Sequence, residues 1–169
     1  MVLVSLFVVF ILFISLIAGL KEGAVKHFFN LVAVVIAAIV AGLAYDLIAG
    51  LLSFIPGENW ENFLGFFVGF AIIIAMLHLA FFVPRKAISV IWKRGRLYRL
   101  LGAAFNVVNA SIGLVIFSLV LSAFPIFDWL ARWVDGSSVM SFIVRIFDFV
   151  QVLLPEELQA AATVVSTVL

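Results

Sequence analysis

The stretch VLVSLFVVFILFISLIAGL at residues 2–20 has no charged residue, and it decides what kind of protein this chain is. A bilayer core about 30 Å thick is crossed by about 20 apolar residues in an α-helix. The stretch therefore predicts a membrane-spanning helix. It has neither the basic start nor the small-residue cleavage site of a secretory signal, so we expect it to be retained.

Three more apolar runs follow, at residues 28–52, 62–83 and 100–124. Pro56-Gly57 marks a turn after the first of these runs, while Pro84 and Pro125 follow the other two. The 169 residues are 67% hydrophobic and 11% charged, whereas soluble domains have roughly 25% charged residues. We therefore predict an all-α membrane protein with a four-helix transmembrane domain at residues 1–125.

The remainder, residues 126–169, has an amphipathic pattern. Asp128, Arg132 and Asp135 are spaced along one helical face, and a second amphipathic stretch begins after Gly136. Short amphipathic helices of this kind lie in the plane of the membrane surface. We predict that this tail forms interfacial helices, with insertion of its second half as a fifth span as the alternative.

Lysine and arginine are unevenly distributed between the connections. The connections after the first and third runs are basic, whereas the connection after the second contains only Glu58 and Glu61 as charged residues. Four spans place both basic connections on one side, which the positive-inside rule assigns to the cytoplasm. Both termini are then expected outside the cytoplasm.

The basic segment between the third and fourth runs contains no acidic residue. We expect its cations to set the topology and to rest on anionic lipid headgroups, each contributing about 1 kcal/mol near the surface. A cytoplasmic protein partner is the alternative, and nucleic acid is not expected as a partner. The residues concerned are Arg85, Lys86, Lys93, Arg94 and Arg96.

Small residues at four-residue spacing favour close helix packing rather than a wide pore. Gly65 and Gly69 form such a pair in the third run, and Ala37 and Ala41 form another in the second. Small side chains let helix backbones approach each other in a membrane. The packing partner is expected to be another helix of this chain, a second copy of the chain or a different membrane protein.

A few polar residues fall within the predicted spans. Asp46 is interpreted as an interfacial carboxylate beside Tyr45, with a proton or ion ligand as the alternative. His78, Asn106 and Asn109 are expected at similar depth, where hydrogen bonds between helices hold a bundle together. A polar pathway is the alternative role for these three residues.

The chain carries no recognisable catalytic constellation. It has no cysteine, no glycine-rich phosphate loop and no paired metal-ligand motif. Ser111 lacks the Gly-x-Ser-Gly surroundings expected of an intramembrane serine nucleophile. We therefore predict that the protein is not an enzyme and holds no metal or cofactor.

Three short motifs lie within residues 12–158. Gly19 and Gly23 followed by Lys26 form a glycine and basic motif between the first two spans. Arg99 and Gly102 form an Arg-x-x-Gly start of the fourth span, and a serine, either Ser137 or Ser138, follows that span. Together these motifs resemble those of the colicin V production protein (CvpA) family of bacterial inner-membrane proteins.

The chain also departs from the family pattern at several positions. Ser5 stands where the family often has an aspartate, and Asn106 and Ala110 stand near later glycines of the fourth span. The resemblance implies a membrane protein linked to colicin V production or export and to envelope homeostasis. We expect a scaffold or regulator that works with a partner, and the alternative is a channel or transporter subunit.

Overall fold

The computed structural model describes residues 2–91 and 95–152, within which the chain forms eight α-helices. Four of these helices, α1, α2, α3 and α5, have the length and hydropathy of a membrane span. The all-α class and the four predicted spans are thereby confirmed. The helices are α1 Val2–Glu22, α2 Ala24–Leu51, α3 Glu58–Ala80, α4 Phe82–Ile91, α5 Arg96–Ala123, α6 Asp128–Asp135, α7 Ser138–Ile146 and α8 Phe149–Val152.

Three of the spanning helices begin about four residues earlier than the apolar runs predict. Helices α2, α3 and α5 start in polar sequence, because backbone hydrogen bonding continues through the polar boundary of a membrane where hydropathy has already fallen. Glu58 and Glu61 lie in the first turn of α3, where the helix dipole favours carboxylates. The connection between α1 and α2 consists of Gly23 alone, whose φ is 86°.

Helix α4 occupies part of the basic segment between the third and fourth spans, which the sequence suggested to be a connection. Helix α3 ends at Ala80, and α4 begins at Phe82 and includes Pro84 and Arg85. Proline is tolerated there because the first N–H groups of a helix have no intrahelical acceptor. Lys93 and Arg94 lie outside the described residues.

The spanning helices are arranged with α5 between α1 and α2, while α3 packs on the far side of α2. Phe28 contacts Phe105 near the starts of α2 and α5, and Tyr45 contacts Phe124 near their ends. Helices α2 and α5 are therefore parallel. Ser5 near the start of α1 bonds Ser137 beyond the end of α5, so α1 runs antiparallel to α5.

The two amphipathic helices predicted in the tail are α6 and α7. Val134, Met140 and Ile143 are buried in the same apolar cluster as Ile116 and Leu119 of α5. The nine residues of α7 extend about 14 Å, roughly half the bilayer core. Helix α7 is therefore too short to form a fifth span. Residues 153–169 of the predicted tail lie outside the described residues.

Candidate functional site

Polar and charged side chains gather at one end of the bundle, where α1 ends and both α2 and α5 begin. We call this the basic end, because Lys21, Lys26, Arg85, Lys86 and Arg96 all belong to it. The opposite end contains the start of α3 together with α6 and α7. Asn59 at the start of α3 donates its Nδ2 hydrogen bond to the carbonyl oxygen of Pro125 there, over 3.3 Å.

Three glycines allow α5 to cross the junction of α1 and α2 at the basic end. A Cβ atom on Gly102 would lie 2.5 Å from the carbonyl oxygen of Gly19 and 2.7 Å from the Cα of Gly23. A Cβ atom on Gly19 would overlap the backbone of Gly102 and Ala103. These glycines belong to the motifs found in the sequence, and their place in the fold is a close backbone crossing.

Beside this glycine crossing lies His27, which the sequence analysis did not single out. His27 is 2% exposed, and its Nε2 lies 3.2 Å from a carboxylate oxygen of Glu22. Lys26 makes an ion pair of 2.6 Å with the other oxygen of Glu22. A histidine next to a lysine in a predicted connection is expected to be exposed. Because α2 begins at Ala24, the helix turns His27 inwards.

Asn106 and His78 form hydrogen bonds with separate partners rather than with each other. Asn106 donates from Nδ2 to the carbonyl oxygen of Ser15 in α1 over 2.7 Å. The Nε2 of His78 lies 3.1 Å from Oδ1 of Asn30 in α2. Asn109 lies one turn beyond Asn106, and its Oδ1 is buried with no hydrogen-bond partner in the described structure.

Asp46 lies on the exposed side of α2, and its neighbour Tyr45 is buried. The ring of Tyr45 packs against Phe124 with centroids 5.3 Å apart. The backbone of the same turn faces α3, where a Cβ atom on Gly65 would lie 2.8 Å from the carbonyl oxygen of Tyr45. This part of α2 therefore contributes packing to the bundle, while the carboxylate of Asp46 points outwards.

Ser137 and Ser138 have different surroundings at the other end of the bundle. Ser137 is fully buried, its hydroxyl oxygen lies 2.8 Å from that of Ser5, and it caps α7 by accepting a hydrogen bond from the Met140 N–H over 3.3 Å. Ser138 is exposed. Ser137 therefore joins the tail to the start of α1.

The described basic residues of α4 and of the first turn of α5 form an exposed face at the basic end. Arg85 is half-buried on α4 and interacts electrostatically with Glu22, while Lys86, Arg96 and Arg99 are exposed. Among residues 2–91 and 95–152, no three His, Asp or Glu side chains lie close enough together to hold a metal ion.

The fold and these sites define a multi-pass membrane protein with a glycine crossing at its basic end and a buried serine that holds its tail. The family model described as Colicin V production protein matches residues 4–148 of the 169. The chain belongs to this family. No curated protein and no solved structure matches the chain significantly.

Proposed function

We propose that this protein is a non-enzymatic scaffold or regulator of the bacterial inner membrane. In this role it binds another membrane protein in a process of colicin V or toxin production or export and of envelope homeostasis. The observation that supports this most directly is that three polar side chains of the spans, those of Ser5, His78 and Asn106, bond other elements of the fold. Family membership supports the link to colicin V production.

The helix-to-helix bonds are distributed over the whole bundle. Asn106 bonds α1, His78 bonds α2, and Ser5 bonds the tail. Gly69 brings α3 close to α2, since a Cβ atom there would lie 2.8 Å from Cδ1 of Ile48. Such packing suits a rigid platform that presents surfaces to partners.

Two surfaces of the protein are suited to partners. Helix α1 packs on α5 by one face and exposes large apolar side chains elsewhere, among them Leu6, Phe7 and Phe10. This outer face contacts lipid or a membrane partner. The exposed cations of the basic end form the second surface, which the positive-inside rule assigns to the cytoplasm. The tail then lies outside, as do both termini.

The first test is crosslinking in native membranes, followed by co-purification in mild detergent and mass spectrometry. A stoichiometric partner protein is the expected result and would identify the process. The matched control is a variant with Lys86 and Arg96 changed to glutamine, in which a partner bound at the basic end is lost while insertion is unchanged. A homo-oligomer without any partner would contradict the scaffold proposal.

A channel or transporter subunit is the second candidate function. It is favoured by buried polar atoms of His27 and Asn109 that lack hydrogen-bond partners in the described structure. This role predicts that Asp46→Asn or His78→Ala abolishes function in a strain that depends on the protein, without loss of insertion. A scaffold tolerates both changes and instead loses function when residues 126–169 are deleted.

A further inference from the structure

The ring of His27 lies in a wedge between α1, α2 and α5. The backbone of Ala18 and the side chain of Asn106 border it, and Glu22 approaches its Nε2 to 3.2 Å. Despite this proximity, neither ring nitrogen makes a hydrogen bond of good geometry with any described residue. Buried polar atoms in folded proteins are nearly always hydrogen-bonded, to protein groups or to water.

A second residue with a buried atom that lacks a hydrogen-bond partner extends this polar wedge toward the middle of the membrane. The Oδ1 of Asn109 is buried without a partner, one helical turn from Asn106. In the described residues, the buried side-chain nitrogen and oxygen atoms without partners belong only to His27 and Asn109. Both residues therefore need a small polar ligand that donates and accepts hydrogen bonds, and water meets this need.

The outer face of α1 is grooved next to the wedge. A groove of about 370 Å³ is lined by Ile14, Ile17, Ala18, Lys21 and Glu22. Ala18 and Glu22 also border His27, so the same two residues separate the groove from the ring. The groove lies at the basic end, where charged side chains meet water.

We propose that this wedge is a hydrated proton-binding site centred on His27. A hydronium ion that enters from the basic end gives a proton to the unprotonated ring nitrogen of His27. An N–H bond forms, an O–H bond breaks, and water and an imidazolium ion remain. The carboxylate of Glu22, 3.2 Å from Nε2, attracts the new positive charge. This site goes beyond the scaffold proposal and does not depend on it.

The charges that face this site come from three helices. Glu22 on α1 lies in contact with the ring, and Lys26 on α2 binds the same carboxylate. Arg85 on α4 also acts on Glu22. From α5, the neutral amide of Asn106 faces the ring. Glu22 is thus the negative charge next to His27, and it is shared with two cations.

The test uses nitrogen NMR of the protein in liposomes, labelled with ¹⁵N only in histidine. The chain has two histidines, so His78→Gln leaves the signals of His27 alone and His27→Gln leaves those of His78 alone. We expect the His27 nitrogens to change between neutral and protonated positions during a titration from about pH 8 to about pH 4, which covers the ordinary range of histidine and the range below it. We also expect rapid magnetisation transfer from water to its ring.

Glu22→Gln provides the matched comparison. It should alter the titration curve of His27, because the Glu22 carboxylate lies 3.2 Å from Nε2 of that ring. His27 signals that stay fixed over this pH range would overturn the proposal. A ring that receives no magnetisation from water would overturn it equally, and His27 would then be a packing residue only.

Discussion

The hydroxyl oxygens of Ser5 and Ser137 lie 2.8 Å apart, although 132 residues separate the two serines along the chain. The bond joins the first turns of α1 to the start of α7. Ser137 also accepts the N–H of Met140 as the N-cap of α7. One buried hydroxyl thus both caps α7 and bonds it to α1, alongside the apolar contacts of α6 and α7 with the bundle.

Replacing Ser137 by alanine should destabilise the protein by about 1–2 kcal/mol. The change removes the cap of α7, which is worth roughly 1 kcal/mol, and a hydrogen bond in a low-dielectric environment. Unfolding by SDS in mixed micelles measures this difference. The neighbouring Ser138→Ala is the control, and its effect should stay within about 0.5 kcal/mol because Ser138 is exposed. Equal losses in the two variants would contradict the structure.

Ser5→Asp should keep a hydrogen bond to the tail, whereas Ser5→Ala should weaken the attachment of the tail. A carboxylate accepts a hydrogen bond from the Ser137 hydroxyl, and the N-terminal turns of a helix favour negative charge. Limited proteolysis of the region containing α6 and α7 measures attachment. We expect faster cleavage in the alanine variant only. Cleavage at the same rate in both variants would show that the hydrogen bond does not hold the tail.

Gly102→Ala should cost about 1–3 kcal/mol or prevent folding, because its Cβ atom would meet backbone atoms of Gly19 and Gly23 at 2.5–2.7 Å. Gly113 lies on the same helix, and a methyl group added there would have no neighbouring atom within 4 Å. Gly113→Ala should therefore be neutral or stabilising by up to about 1 kcal/mol. The two variants are compared by thermal unfolding in detergent. A Gly102→Ala protein as stable as Gly113→Ala would exclude the close crossing.

A double-mutant cycle on His78 and Asn30 should give a coupling energy of about 0.6–2 kcal/mol, the range for hydrogen bonds between membrane helices. A cycle on His78 and Asn106 should give none, because the structure assigns those side chains to different partners. SDS unfolding of the single and double alanine variants supplies both values. Coupling between His78 and Asn106, with none between His78 and Asn30, would contradict the structure and would support the single polar cluster that the sequence suggests.

The absence of cysteine makes the orientation directly measurable. Lys86→Cys places a single thiol on the exposed face of α4, and Glu58→Cys places one at the start of α3. An impermeant maleimide added to intact spheroplasts should label the thiol at position 58 and spare the one at position 86. In inverted vesicles the pattern should reverse. Labelling of position 86 from outside would reverse the orientation proposed from the positive-inside rule.

The sequence by itself determined the class of the protein and the number of its spans, because apolar runs of about 20 residues are stable in the bilayer core. The amphipathic period likewise gave the two helices of the tail. Hydropathy could not place the helix starts, since α2 and α5 continue through polar residues such as Lys26 and Arg99. Hydropathy alone therefore assigns His27 to the connection between the first two spans.

Only the tertiary structure decided which helices are neighbours, and with them the partners of each polar residue. Glycine motifs indicate that two helix backbones pack closely, but they do not identify the neighbouring helix. The contact of Gly102 with Gly19 and Gly23 depends on α5 lying against the junction of α1 and α2. Burial of Ser137 and His27 likewise depends on contacts between residues far apart in the chain. The periodicity of a sequence shows which face of a helix is apolar. The packing of all the spans together decides which helix that face contacts.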